Sequence, residues 1–371
     1  MTELAGALRA LPLRDLLARS EGATAAEVRA ALRRERRDLR DLAALLSPAA
    51  AELLEETARA SAALTARRFG RTILLYAPLY LSNECVNVCT YCGFRADLDV
   101  KRSTLSPGEI DEGLGFLARL GFRHVLLVTG EHPKKIPLDY LEDGVRRARR
   151  RFPSVSIEVE PLDSAGYGRI VAAGADGVTL YQETYDRDRY GEYHPRGPKS
   201  DYDNRLEALS RAAEAGIRRV NLGALLGLAP WREEMFRLAL HASYLTRRYW
   251  KTHVSISFPR IREAAGHFVP PFPVGDRELT QMLAALRLFL PDAGLVVSTR
   301  ERPRLRDGLA RIGATQMSAG SRTEPGGYLH PDEAEGQFEV DDSRSPAEVA
   351  DRLRELGLDP VWKDWEEALH G

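Results

Sequence analysis

Between residues 72 and 319 one pattern recurs eight times: a short, nearly continuous apolar run, then a stretch of helical period. The runs are TILLYAPLY, HVLLVTG, VSIEVE, GVTLYQ, RVNLGAL, HVSISF, GLVVST and ATQMSA. Between them lie segments such as SPGEIDEGLGFLARLG, DYLEDGVRRARRRF, NRLEALSRAAEAG and LTQMLAALRLFL. A strand that is apolar on both faces must be covered on both, and parallel strands joined by helical crossovers achieve that. Eight units match the number that closes an α/β barrel, so the count favours a TIM-type (β/α)8 barrel over an open doubly wound sheet.

Residues 1–70 carry no strand signal and read as helices. Thr24 and Glu27 have the spacing of a capping box, and Ser47-Pro48 supply an N-cap and a first-turn proline. Beyond the eighth unit, PGGYLHPDEAEGQFEVDDSR reads as an ordered loop and SPAEVADRLRELG as a capped helix, followed by PVWKDW. The expected organisation is an N-terminal helical extension over 1–70, the barrel over 71–324, and a loop-and-helix segment over 325–371 that closes it. The N-terminal helices and the loop are expected to seal opposite ends.

Lysine plus arginine total 53 against 54 acidic residues, leaving no positive excess to draw in nucleic acid or anionic lipid. The opening MTELAGALRALPLRDLLARSEG places charges where a signal peptide needs an apolar core, and no later run reaches membrane-spanning length. A cytoplasmic protein without a nucleic-acid or membrane partner is expected.

All the cysteines fall within NECVNVCTYCGF, as Cys85, Cys89 and Cys92. They follow the first strand, on the barrel face where loops build active sites. Three clustered thiols cannot form a paired disulfide framework; in a reducing compartment they serve metal or redox chemistry. A four-iron cluster takes one soft ligand per iron, so three thiolates leave one iron open to a small molecule. The competing account is a zinc site completed by His132, or a chance grouping of buried thiols. Structural zinc sites, however, pair ligands from two short loops and close all four positions.

With this triplet on the first loop of a barrel, the sequence resembles the radical S-adenosylmethionine superfamily. An ordered series narrows the likeness to the 2-iminoacetate synthases, the tyrosine lyases of thiamine biosynthesis: LYAPLYLSNECVNVCTYCGF, LLVTGEH, YQETY, LGALLGL, SFPRIR, STRE, SAGSRTEPGGY and PVWKDW. Val88 departs from the pattern, where an aspartate is expected before the second cysteine. The resemblance implies a 4Fe-4S cluster on the three cysteines and S-adenosyl-L-methionine chelated by its open iron. It further implies radical cleavage of L-tyrosine at Cα–Cβ to 2-iminoacetate and p-cresol, with 5′-deoxyadenosine and methionine. Delivery to the thiazole synthase ThiG, and reduction by flavodoxin or ferredoxin, follow from the same likeness. HydG-like, tryptophan-lyase-like and CofH-like enzymes are the related alternatives. HydG carries further cysteines for a second cluster; none follows Cys92 here, so the reaction is expected to stop at 2-iminoacetate.

Other residues at strand ends are candidates within that likeness. Tyr80, five residues before Cys85, is by similarity a partner for the substrate amine, with a core tyrosine as the alternative. Glu131 can accept from the ammonium of S-adenosylmethionine, or serve a helix N-terminus. Glu158 and Glu160 alternate with apolar neighbours and face one side. A carboxylate inside a barrel is costly without a partner, and Glu160, nearer the strand's end, is the candidate for the cofactor's ribose. Gln182 and Glu183, ending the fourth strand, make a similar claim. Arg205, Arg260 and Arg300 are placed to fork onto carboxylates. By family likeness Arg300 takes the carboxylate of tyrosine, with Ser318 and Ser321 assisting. Arg205 is a candidate cofactor contact, with a structural ion pair as the alternative there and at Arg260. His124, His194 and His267 receive no role.

Overall fold

A computed structural model describes residues 2–331 and 335–362. Eight parallel strands follow one another in chain order. They are β1 (Thr72–Ser82), β2 (His124–Thr129), β3 (Ser154–Glu158), β4 (Gly177–Thr179), β5 (Arg219–Gly223), β6 (His253–Ser257), β7 (Gly294–Val297) and β8 (Gln316–Ser318). β8 pairs with β1 and β1 with β2, so the sheet closes into the barrel that the eight apolar runs implied.

The alternation along β1 shows how the closed sheet divides its side chains. Ile73, Leu75, Ala77, Leu79 and Leu81 point outward into one continuous core shared with the crossover helices. Tyr76 and Tyr80 point inward and meet Leu126, Val128 and Val296 from the facing strands. Each outward aliphatic side chain contributes roughly 1.5–3 kcal/mol by leaving water. The interior is polar as well as apolar: Ser156, Asn221 and Ser255 line its N-terminal half, and Asn221 Nδ2 donates to Ser257 Oγ at 2.8 Å. A barrel whose centre is not packed solid with branched side chains keeps room at its mouth. No helix among the described residues is long and apolar enough to cross a membrane.

The N-terminal helices differ from expectation. Of the six, from Glu3–Ala10 to Leu54–Phe69, five lie against the barrel's outer helices Trp231–Arg248, Asp276–Phe289 and Pro303–Ile312, and Ala25–Arg33 packs on its neighbours in the extension. Gln281 Nε2 donates to the carbonyls of Leu45 and Ser47, and Ser61 Oγ to that of Ile312, which fixes the contact. The extension therefore mainly covers a flank of the barrel, and among its described residues only Phe69, at the end of its last helix, reaches the cavity at the barrel's N-terminal end. Its apolar stripe finds its complement on outward-facing helix surfaces, which a barrel end does not offer.

A ninth strand, β9 (Asp359–Val361), was not legible in PVWKDW. It pairs parallel with Thr72–Leu74 of β1. β1 starts before β2 does, so its first residues present an open edge, and β9 covers it. The Trp362 ring then meets the edge of Phe122 at 5.2 Å. Lys363, Asp364 and Trp365 of the same motif lie outside the described residues. At the other end, the loop after β8 folds over the mouth. Tyr328 donates its hydroxyl to the carbonyl of Pro78, and Thr323 donates to that of Phe338.

Candidate functional site

The cysteine loop leaves β1 at Ser82 and is fastened at its base. Asn83 Nδ2 donates to the carbonyl of Lys101, and Arg102 Nη1 donates to those of Asn83 and Phe94, each at 2.8 Å. The loop then lies directly on the end of β2, where Val86 N–H donates to the carbonyl of Glu131. Gly130 permits this approach: a Cβ there would stand 2.3 Å from the Glu84 carbonyl oxygen and 3.3 Å from Cys85 Cβ.

Cys85, Cys89 and Cys92 all line one cavity at the C-terminal mouth of the barrel. Burial pushes the Cys89 thiol up to about 12 and raises Cys92 as well, so without a cation beside them both favour the protonated thiol. Phe94 N–H and Gln337 Nε2 already point donors at Cys92 Sγ, at 3.4 and 3.7 Å. Among the described residues no three His, Cys, Asp or Glu side chains converge where one ion would sit. His132 does not line the cavity, and its Nδ1 accepts from Lys135 N–H. Three thiols facing a shared space without meeting at a point suit the separated corners of an iron-sulfur cube and argue against the zinc account.

The same cavity carries the polar groups expected around a cofactor. Asn87 Nδ2 donates to Glu131 Oε2 at 2.6 Å, and Asn87 Oδ1 accepts from Lys199 N–H at 2.8 Å. Glu160 lies just past the end of β3, its carboxyl pushed to about 7 by burial, and its buried Oε2 has no partner among the described residues. Thr129 Oγ1, on the same wall, is equally unpaired. These unpaired atoms in the cysteine cavity fit a hydrogen-bonding small molecule.

Glu183 adopts a left-handed backbone (φ 69°), which turns its carboxylate toward Lys199 Nζ at 2.7 Å and Arg205 at 3.2 Å. Burial opposes the carboxylate's charge, but the two cations outweigh it and hold Glu183 below the usual range. Arg205 Nε also donates to the Tyr181 carbonyl, so this arginine follows the ion-pair alternative while still lining the cavity. The turn is held from behind by buried Glu234, which accepts from Thr184 Oγ1 and Tyr185 N–H. β4 stops at Thr179, short of the two residues read as its end. Gln182 is a correction: its neighbours Leu180, Tyr181 and Glu183 line the cysteine cavity, but Gln182 lines none of the three mouth cavities. Its amide is buried and its Nε2 is unpaired.

A second cavity adjoins the first and is lined by Tyr80, Arg300, Ser318, Ser321, Tyr76 and Phe338. The Arg300 guanidinium lies over the Phe338 ring, 3.3 Å from its centroid, and forms no ion pair among the described residues. Arg260, by contrast, is paired with Glu301 and Asp276, the structural role left open for it. Ser321 Oγ is buried without a partner, whereas Ser318 Oγ accepts from Thr299 N–H. Tyr80 donates its hydroxyl to Gln337 Oε1 at 2.8 Å. A third cavity joins the first two across Cys92, Lys199, Arg300 and Gln337.

Several residues here escaped the sequence reading. Lys199, Asn87, Gln337 and Phe338 reach the mouth from loops far apart in the chain, and no spacing marks them. Glu158 was visible by alternation with Glu160 but passed over in its favour. The histidines stand apart: His124 Nε2 meets Ser156 Oγ in the barrel's lower half, His267 is exposed beside Glu263, and His194 Nε2 meets the Tyr91 hydroxyl. Burial lowers His194 to about 3, so it is a neutral packing partner.

Two family profiles match the chain: the Radical SAM superfamily over residues 79–240, and the Biotin and Thiamin Synthesis associated domain over 257–359. The 2-iminoacetate synthases of Salmonella typhimurium and Escherichia coli are each 42% identical to it over 362 residues, covering 97% of this chain and 96% of theirs. The crystal structure of HydG, a maturase of the FeFe-hydrogenase, superposes with a TM-score of 0.90 at 32% identity, over 96% of this chain and 81% of that one. Methylornithine synthase PylB shares the fold, with a TM-score of 0.70 at 22% identity over 90% of this chain and 97% of that one.

Proposed function

The chain belongs to the radical S-adenosylmethionine superfamily and, within it, to the 2-iminoacetate synthases, and on that premise we propose that its barrel mouth cleaves L-tyrosine between Cα and Cβ. The products are 2-iminoacetate, which supplies the thiazole of thiamine, and p-cresol, together with 5′-deoxyadenosine and methionine. When bound, the 4Fe-4S cluster and S-adenosylmethionine would supply the radical chemistry that takes a hydrogen atom from the substrate's amino group.

The protein's part is to hold and to exclude. Cys85, Cys89 and Cys92 hold the cluster. Glu131, steadied by Asn87, takes the cofactor's ammonium, and the unpaired Glu160 takes its ribose. Lys199 and Arg205, tied to Glu183, build the facing wall. Arg300 forks onto the carboxylate of tyrosine, Ser321 adds a hydrogen bond beside it, and Ser318 shapes the floor. Tyr80, oriented by Gln337, meets the substrate amine. Gln337 and Phe338 cover the mouth and keep water from a hydrolysable imine.

One observation carries this reading: the three thiols and the only mouth arginine without an ion pair among the described residues face adjoining cavities with shared walls. Anaerobic reconstitution followed by mass spectrometry of the products tests it. Tyrosine should yield p-cresol in step with 5′-deoxyadenosine. Cleavage of tryptophan with tyrosine left inert would overturn the substrate. The lability of 2-iminoacetate also calls for a thiazole synthase as receiving partner, and flavodoxin or ferredoxin is the reductant that fits the chemistry.

A further inference from the structure

The three mouth cavities have two lining residues in common, Glu158 and Tyr181. That junction is where the cysteine side and the Arg300 side meet, so the atom that gives up hydrogen must lie there. Glu158 is the only carboxylate lining the Arg300 cavity. The other acids of the mouth are committed or remote: Glu131 accepts from Asn87, Glu183 is paired with Lys199 and Arg205, and Glu160 lines the cysteine cavity alone. The Glu158 carboxylate accepts no hydrogen bond among the described residues.

The reaction, as read above, needs a base at that point. Free tyrosine carries an ammonium group at neutral pH, and an ammonium nitrogen has no lone pair to become the π bond of an imine. We infer that Glu158 is the catalytic base that takes one proton from the α-ammonium group of the bound substrate, leaving a neutral amine where the hydrogen atom is removed. The balance is simple: carboxylate and ammonium become carboxylic acid and amine. Loss of a hydrogen atom then leaves a nitrogen-centred radical, whose Cα–Cβ bond breaks homolytically into imine and 4-hydroxybenzyl radical.

The surroundings suit the task. Burial pushes the Glu158 carboxyl up to about 7; Arg300 pulls it down, Glu183 pushes it up, and Arg205 and Lys199 pull it down from the far wall. Tyr76, Tyr80 and Tyr181 also face it, and burial together with its charge keeps their hydroxyls protonated. The group is a base of near-neutral strength, which general-base catalysis favours.

The assignment rests on the tyrosine reading, and the test separates the two. Wild type, Glu158→Gln and Glu158→Asp are compared for iron content, tyrosine affinity by calorimetry, and p-cresol formation from pH 6 to 9. Wild-type turnover should rise with pH through a limb near 7, as Glu158 ionises. Glu158→Gln should keep its iron and bind tyrosine at most about tenfold more weakly, yet lose about a hundredfold or more in turnover at pH 7. Its rate should then climb about tenfold per pH unit as the free amine becomes available. Glu158→Asp should restore part of the pH 7 rate. A Glu158→Gln variant as fast as wild type would overturn the assignment alone, as would both variants losing affinity and turnover together at every pH. A wild type that makes no p-cresol would overturn the assignment and the tyrosine reading with it.

Discussion

Arg300 is available because its neighbours are occupied: Arg205 holds Glu183 and the Tyr181 carbonyl, and Arg260 holds Glu301 and Asp276. Replacing Arg300 by Ala should raise the KM for tyrosine about tenfold to a hundredfold, the equivalent of roughly 1.5–3 kcal/mol for a charge-assisted hydrogen bond. Iron content and S-adenosylmethionine binding should be unchanged. Lysine should recover little, since a point charge does not reproduce the planar fork. If the KM of Arg300→Ala stays at the wild-type value, the carboxylate is held elsewhere. Glu183 supports a different outcome. Glu183→Gln leaves two buried cations facing one another without their shared carboxylate, and should cost about 3–5 kcal/mol, read as a lowered urea midpoint. An unchanged midpoint would mean that water already satisfies those cations. The cysteines were legible because soft ligation belongs to a particular residue type, whereas residue type alone offered three arginines and only the family likeness singled out Arg300. Gln182 misled because the strand stops at Thr179 and the chain turns at Glu183, so position at a strand's end did not decide which side chains face the cavity, and Lys199 and Gln337 were silent because only the fold brings them in.

The β1 loop and the end of β2 show how an element-level contact governs a site. The loop can rest on Gly130 only because nothing projects from it. Gly130→Ala should lift the loop and misplace Cys85, so that reconstitution yields much less than the wild-type iron content while far-ultraviolet circular dichroism still reports a folded barrel. Full iron loading in that variant would show that the loop has slack the packing does not suggest. Eight strands could be read from the sequence because burial on both faces writes a strand as an unbroken apolar run. β9 could not, because three residues reading Asp-Pro-Val have no such signature. Their pairing is decided by an edge of β1 that exists only once the barrel has closed.

For the whole molecule, the question is which parts protect the mouth and which merely hold the barrel together. The sequence suggested that both terminal segments seal ends, since an amphipathic extension looks alike whether it covers a flank or a rim. The packing divides the roles. No residue before Tyr76 lines any of the three mouth cavities, whereas Gln337 and Phe338 line them directly. Phe338→Ala should therefore admit water and uncouple the chemistry, raising the ratio of 5′-deoxyadenosine to p-cresol. Deleting residues 2–53 should act through stability instead. It exposes the apolar faces of Asp276–Phe289 and Trp231–Arg248, and strips Gln281 of both its carbonyl acceptors. Water can take over the amide of the uncovered Gln281, so the cost is chiefly the lost apolar burial, roughly 25 cal/mol per Å² re-exposed. The truncated protein should melt at lower temperature and aggregate sooner, while whatever remains folded makes p-cresol and 5′-deoxyadenosine in the wild-type ratio. A truncated protein that kept its melting temperature but lost that ratio would place the N-terminal helices at the mouth after all.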